Sequence, residues 1–166
     1  MDEQLIKVLK LLRETKFPTN WSRKNIYRGD SNSYKGFVLG IVRLRATPRK
    51  IYGVDKHPSR YTRSGDFTEL HQACDELMKL HDPDFKYTSI QLNKNIAVKK
   101  HKDSYNKGES YVIGLGDYTD GELTTYDEHD VPTKNDIHNK FFKFNGAKVA
   151  HEVISYEGTE RYSLVY

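Results

Sequence analysis

The chain has 166 residues, 27 Lys and Arg against 23 Asp and Glu, 12% aromatic residues and a single cysteine. This composition suits one compact domain over 1–166; it excludes disorder throughout, and Cys74 alone excludes an internal disulfide framework. The net charge of +4 hides a polarity: residues 1–100 carry 20 basic and 11 acidic side chains, residues 101–166 carry 7 and 12.

Residues 3–15 set Leu5, Ile6, Val8, Leu9, Leu11 and Leu12 at near-helical spacing with Lys and Arg opposite, which predicts an amphipathic helix ended by Pro18. Charges interrupt this segment too often for a secretory core, and the longest apolar run, Gly36 to Val42, is too short to cross a bilayer. An intracellular protein without a membrane span is expected. Residues 19–35 read as loop, and Gly36 to Ala46 as a β-branched strand. A second helix is predicted from Asp66, whose carboxylate with Glu69 forms a capping box, and Phe67, Leu70, Cys74, Leu77 and Met78 then share one face. Cys74 on that face reads as a small buried hydrophobe.

His81-Asp-Pro83 closes the helix, and the pattern changes. Strands are expected over 87–99, 109–115, 122–126, 137–144, 148–154 and 161–166, separated by turn residues at Asn106-Lys-Gly108, Asp120-Gly121, Asn145-Gly146 and Glu157-Gly158. Gly114-Leu-Gly116-Asp117 ends a strand in a turn, since no phosphate-loop signature follows it. Phe141, Phe142 and Phe144 read as core packing. Helices followed by many short strands predict an α+β, mainly β chain, with 1–86 helical and basic and 87–166 an antiparallel barrel or sandwich with helices packed outside.

The chemistry concentrates in Lys99-Lys-His101-Lys-Asp103-Ser-Tyr-Asn106-Lys-Gly108. In an extended segment His101 and Asp103 project from one face, because side-chain direction repeats every two residues. They form two thirds of a 2-His-1-carboxylate triad, the set that holds Fe(II) with open positions. Three histidines can complete it: His129 in a polar loop, His138 before Phe141, and His151. His151 is favoured by a predicted hairpin turning at Ser155-Tyr-Glu-Gly158, which makes His151 and Arg161 cross-strand partners roughly 5 Å apart at Cβ. Ser163 follows on the same face. A guanidinium beside a metal offers a rigid fork for a carboxylate; the ordinary alternative is an ion pair with Glu152 or Glu160.

His101-x-Asp103, His151 and Arg161-x-Ser163, in this order, resemble the Fe(II)/2-oxoglutarate-dependent dioxygenases of the double-stranded β-helix fold, a jelly-roll or cupin-like core. The stretch His101-Lys-Asp-Ser-Tyr-Asn106, with Gly108 and Ser110, is similar to the HxDxxN segment of TET/JBP-type nucleobase dioxygenases. The resemblance covers about residues 87–166. It implies His101, Asp103 and His151 as iron ligands, Arg161 and Ser163 as a clamp for the far carboxylate of 2-oxoglutarate, Asn93 at the other end of that co-substrate, and Asn106 against a target base. O₂ is the second co-substrate, and hydroxylation of an unactivated C–H bond is the implied reaction, with no catalytic side chain beyond the metal site. The TET group carries further base-contacting residues beyond the Arg-x-Ser strand, whereas this sequence stops at Tyr166.

Residues 43–63 hold seven Lys or Arg, Arg43, Arg45, Arg49, Lys50, Lys56, Arg60 and Arg63, against Asp55 alone. Interleaved with Tyr52 and Tyr61, they suit a phosphate backbone with bases to stack on; together with what the TET/JBP resemblance implies, this makes DNA or RNA carrying a modified pyrimidine, 5-methylcytosine or thymine, the favoured substrate. An acidic protein or peptide hydroxylated on Pro, Lys, Asn or Arg is the alternative partner, and a catalytically silent binding barrel is a third reading. Asn95, Glu109 and Tyr111 are further candidates to line the pocket.

Overall fold

Two helices and twelve short strands make up the computed structural model, which describes residues 1–19, 25–29, 35–43, 59–61, 67–104 and 106–166. Arg45, Arg49, Lys50, Tyr52, Lys56, Arg63 and Asp66 lie outside these residues, as does the capping box expected from Asp66; for Arg43, Arg60 and Tyr61 only the backbone is described.

The helix α1 (Asp2–Glu14) buries Val8 and Leu12. Ile6, a third of a turn or more away from both, stays 70% exposed, so the apolar stripe is narrower than its sequence suggests. In α2 (Thr68–His81), Leu70, Ala73, Cys74, Leu77 and Met78 are buried at helical spacing. The two helices are joined by Gln4 Nε2 donating to the Ala73 carbonyl at 2.8 Å and by the Lys7–Glu76 ion pair.

The strands are β1 (Lys35–Arg43), β2 (Ser59–Tyr61), β3 (Ser89–Lys94), β4 (Val98–His101), β5 (Ser110–Leu115), β6 (Tyr118–Asp120), β7 (Leu123–Tyr126), β8 (Pro132–Asn135), β9 (Phe142–Phe144), β10 (Ala150–Val153), β11 (Tyr156–Gly158) and β12 (Tyr162–Val165). They pair antiparallel into a six-stranded sheet ordered β2-β1-β3-β12-β5-β9, a four-stranded sheet ordered β4-β10-β7-β8, and a β11-β6 ribbon. From β3 onward the chain moves back and forth between the two larger sheets, as in a jelly roll.

Alternation along each strand divides the apolar residues. Ile90, Leu92, Ile113, Leu115, Tyr162 and Leu164 pack against Val8, Leu12 and the apolar face of α2, so the helices cover the outside of the larger sheet. The opposite parity fills the space between the sheets: Val112, Leu123, Ile137, Phe144 and Val153, with Val98, Phe142 and Val165 against them. Of the three neighbouring phenylalanines, Phe142 and Phe144 lie in this inner cluster, while Phe141 packs with the outer one.

Several expected strands are divided. Residues 87–99 break at Asn95, whose φ of 55° turns the chain, so β3 and β4 fall in different sheets. Residues 137–144 are interrupted by Asn139 at φ 57°, leaving only β9 and a parallel bridge from His138 to Gly114. Such left-handed turns suit Asn, whose short polar side chain tolerates them. The hairpin that pairs His151 with Arg161 does not form. The residues expected as its turn make β11, which pairs with β6, so β10 joins the smaller sheet and β12 the larger. Among the described residues no helix is long and apolar enough to cross a membrane.

Candidate metal centre and anion site

His151 meets His101 by strand pairing: the two are register partners on β10 and β4, and their rings lie 4.4 Å apart. Asp103 follows the end of β4, where its N–H donates to the Gly146 carbonyl at 2.8 Å and draws the 103 turn against the 145–148 turn. Its carboxylate oxygens lie 3.8 Å from His101 Nε2 and 3.5 Å from His151 Nε2. The three ligand atoms fall within 4.8 Å of one another.

Both imidazoles are oriented the same way. His101 Nδ1 contacts the Lys99 carbonyl at 2.6 Å, and His151 Nδ1 the Val149 carbonyl at 2.9 Å. A carbonyl only accepts, so in each ring Nδ1 carries a proton, and Nε2 is the nitrogen turned toward Asp103. Phe144 meets the His151 ring edge-on at 4.9 Å. Two imidazoles and one carboxylate, backed by backbone acceptors and an aromatic wall, fit a first-row divalent metal. Of the other histidines considered, His129 is exposed beside Glu128, and His138 Nε2 is occupied by the Gly116 carbonyl at 3.0 Å; neither joins the cluster.

Arg161 is only 2% exposed, and no carboxylate faces it among the described residues. Nη1 donates to the Ile96 carbonyl at 3.2 Å and Nη2 to the Gly121 carbonyl at 2.9 Å, while Nε has no partner. The rings of Tyr118 and Tyr156 flank the guanidinium, with centroids 5.2 and 5.7 Å away. Burial lowers its pKa, and the two phenols act in the opposite sense. The ordinary explanations for a buried arginine are removed: Glu152 is engaged by Arg28 and Tyr126, and Glu160 by Arg13 and Tyr162. A guanidinium buried without a counter-charge is costly.

Ser163 shares the parity of Arg161 and sits between Asn93 on β3 and Gly114 on β5. Asn93 Nδ2 donates to Ser163 Oγ at 3.0 Å, which leaves the serine proton for another acceptor and sets Asn93 beside the Arg161 and Ser163 pair, not at the opposite end of the site as expected. Tyr118 is the residue missed in the sequence. Its hydroxyl is buried without a hydrogen-bond partner, lies where a Cβ on Gly114 would be, and is backed by the His138 ring at 4.3 Å. Arg161 Nε, the Ser163 hydroxyl and the Tyr118 hydroxyl are three buried donors suited to one carboxylate. The only available signal was Gly114 opposite Ser163, which becomes visible once the register is known.

Asn106 is exposed and donates its backbone N–H to the Asp103 carbonyl at 2.8 Å, in the turn after the metal cluster. Asn95 does reach the site's rear, where Oδ1 accepts the Arg161 N–H at 2.7 Å. Tyr111 and Glu109 do not line the interior: Tyr111 packs on the outer, helix-covered cluster and bonds Asp82, and Glu109 pairs with Lys143 at the surface. Lys99, Lys102, Lys107 and Lys148 are exposed around the ligand-bearing segments and make no ion pair among the described residues.

No protein-family model and no curated protein matches the chain. Solved structures do. A 2OG-Fe(II) oxygenase family oxidoreductase from Burkholderia pseudomallei matches with a TM-score of 0.58 and 16% identity over 98% of this chain and 76% of that one. OsALKBH1 matches at 0.54 and 13% identity, over 99% and 91%. A prolyl hydroxylase in complex with a hypoxia inducible factor peptide from Trichoplax adhaerens matches at 0.53 and 14%, over 98% and 75%. The mainly β, helix-covered jelly roll described above is thus the fold of 2OG-Fe(II) oxygenase structures, and the chain shares that fold.

Proposed function

We propose that the protein is an Fe(II)- and 2-oxoglutarate-dependent oxygenase that hydroxylates a C–H bond, acting preferentially on a modified pyrimidine, 5-methylcytosine or thymine, in DNA or RNA. The observation that carries the reading is Arg161: a buried guanidinium with an unpartnered Nε, in the fold whose opposite sheet brings His101, Asp103 and His151 together. A site of that kind calls for an anion and a cation, and a 2-oxo dicarboxylate held between them answers both.

His101, Asp103 and His151 would hold the iron. Bound Fe(II) with 2-oxoglutarate supplies the oxidising chemistry, one oxygen atom of O₂ going to succinate as CO₂ leaves and the other to the substrate C–H bond. The chain's own part is placement. Arg161 and the Ser163 hydroxyl bind the far carboxylate, Asn93 holds the serine oriented, and Tyr118 adds a third donor. The two Nδ1 contacts to backbone carbonyls keep both imidazoles aimed. Val112, Leu123, Val153 and Phe144 wall the interior with apolar surface and keep water from the oxidation.

Four exposed lysines without ion pairs among the described residues, Lys99, Lys102, Lys107 and Lys148, lie within four residues of a cluster ligand along the chain and support a polyanionic substrate. The basic residues of 43–63 add to that charge in the sequence. A base in a duplex must be flipped out to reach a recessed metal, and Asn106, in the turn that its N–H closes on the Asp103 carbonyl, would be the residue to meet it. The second reading, hydroxylation of a protein side chain, is favoured by one feature: Asp127, Glu128 and Asp130 line the cleft beside Lys102 and Lys148, a mixed-charge wall better suited to a peptide than to a phosphate backbone.

The test is succinate release by protein supplied with Fe(II), 2-oxoglutarate and O₂, with His151→Ala and Arg161→Met beside it. Methylated oligonucleotides and acidic polypeptides are then compared by mass spectrometry for the gain of one oxygen atom. Turnover lost in both variants and oxygen gained by the oligonucleotide is expected. Gain by the polypeptide alone moves the substrate to the second reading, and no turnover with no metal-dependent binding of 2-oxoglutarate overturns the enzyme.

A further inference from the structure

The outward face of the smaller sheet carries a polar network that none of the chemistry above uses. Between the His101–His151 pair and the Val98–Val153 pair the ladder of β4 with β10 is irregular: Val98 to His101 runs opposite Val153 to His151, so β4 has one residue more than its partner. A bulge disrupts the ladder locally, and here the disruption falls next to the two histidines, at Lys99 and Lys100 opposite Glu152. Backbone pairing alone therefore holds the histidines less firmly than a regular ladder would.

The outward neighbours of those histidines are fixed by side chains instead. Glu152, next to His151, is 6% exposed; one carboxylate oxygen receives the Arg28 guanidinium and the other the Tyr126 hydroxyl. Lys100, next to His101, lies over the Tyr126 ring, 3.6 Å from its centroid, and pairs with Asp130. Arg28 belongs to a segment laid along the free edge of β4. The Arg28 N–H donates to the Ala97 carbonyl at 3.1 Å and its Nε to the Val98 carbonyl at 3.2 Å, while the Ile26 carbonyl accepts the Lys99 N–H at 2.6 Å. Tyr27 bridges to Val98. One network thus ties residues 26–28, β4, β10 and β7.

We propose that Glu152 and Tyr126 are positioning residues for His101 and His151, and that residues 26–28 form a strap whose docking through Arg28 completes the metal centre. This rests on the reading of His101, Asp103 and His151 as metal ligands. Successive side chains of a strand point to opposite faces, so β10 cannot rotate His151 away from Asp103 unless Glu152 leaves its partners. With Arg28 gone, a carboxylate remains buried against the sheet without its counter-charge, and the strand relieves it by turning Glu152 to water. That rotation carries His151 out of the cluster.

The probe is Co(II) alone, titrated calorimetrically into the metal-free full chain, with melting temperature recorded for each variant. Glu152→Gln, Tyr126→Phe and Arg28→Ala are each expected to weaken Co(II) binding about tenfold, the lower end of what groups behind metal ligands contribute. Arg28→Lys, which keeps the charge, recovers most of the loss. Glu76→Gln, which breaks the distant Lys7 ion pair between the helices, leaves Co(II) affinity at the wild-type value whatever it does to melting. Variants that melt lower yet bind Co(II) as the wild type does overturn the proposal and leave the network a structural brace. If Glu152→Gln does not fold, Tyr126→Phe, which removes one hydroxyl, decides alone. A wild-type chain that binds no Co(II) overturns the metal-site reading itself, a result distinct from equal binding by all variants.

Discussion

Replacing Arg161 by methionine separates a structural arginine from one that waits for an anion. Methionine fills a similar volume without charge. The substitution leaves the Ile96 and Gly121 carbonyls without their donors, at about 1–3 kcal/mol each, and removes two cation–π contacts of about 0.5–2 kcal/mol each. Against this it relieves a buried charge that lacks a counter-ion, a term of several kcal/mol of the same order as the losses, so the ligand-free protein should stay folded with a net change of a few kcal/mol. The effect on co-substrate is larger. With Co(II) present and 2-oxoglutarate at about a hundred times its Kd, the wild type gains about 2.7 kcal/mol. For a chain of this length that raises Tm by roughly 5–10 °C. Truncating one partner of a buried charge pair costs about 2–5 kcal/mol of binding. The same concentration of 2-oxoglutarate should then raise the variant's Tm by less than about 3 °C, while the increment from Co(II) alone persists. Differential scanning fluorimetry with and without each ligand reads all four states. A variant that keeps the full 2-oxoglutarate increment refutes Arg161 as the carboxylate's partner.

Gly114→Ala puts a methyl group where the Tyr118 hydroxyl lies; displacing the phenol should cost about 1–3 kcal/mol in thermal unfolding and reduce the 2-oxoglutarate increment, and unchanged values would show that Tyr118 does not belong to the anion site. Leu77→Ala empties a fully buried position between α2 and the larger sheet and should destabilise by about 2–5 kcal/mol in urea unfolding without altering Co(II) affinity. At high pH, burial raises the pKa of Tyr118, Tyr156 and Tyr166 above the ordinary 10.0 and pushes Tyr162 up to about 12. The unfolded chain therefore loses these protons first, so the stability they contribute is present below pH 10 and lost as pH rises from there toward 12. Phenolate absorbance and circular dichroism should change together in that window; ionisation of all the tyrosines near pH 10 with the fold intact would refute it.

Local features of the chain were legible where one element's own pattern decides the outcome. The period of Leu70, Cys74, Leu77 and Met78 sets the face of α2, and the glycine-bearing turns delimit most strands. The His101-x-Asp103 spacing joins two members of the cluster across one strand end. Less legible were β2, β6, β8 and β11, strands of three or four residues that exist because a neighbour pairs with them. Alternation over so few positions carries little signal. Asn95 and Asn139 divided continuous patterns through positive φ, which composition does not announce.

The third ligand shows the limit well. His151 reached the cluster, but not through the hairpin with Arg161 that the spacing suggested; β11 paired elsewhere and sent the two residues to opposite sheets. What the sequence by itself determined is the inventory and its local directions: two amphipathic helices, a β-rich remainder, a His-x-Asp pair and an Arg-x-Ser pair whose members each share a face. Only the tertiary structure decided that His151 lies against His101, that Tyr118 fills the space left by Gly114, and that Arg161 is buried with Glu152 and Glu160 already engaged by other cations. The physical reason is that charge compensation and donor satisfaction depend on partners far apart in the chain, and pairing between strands, not the spacing within them, brings those partners together.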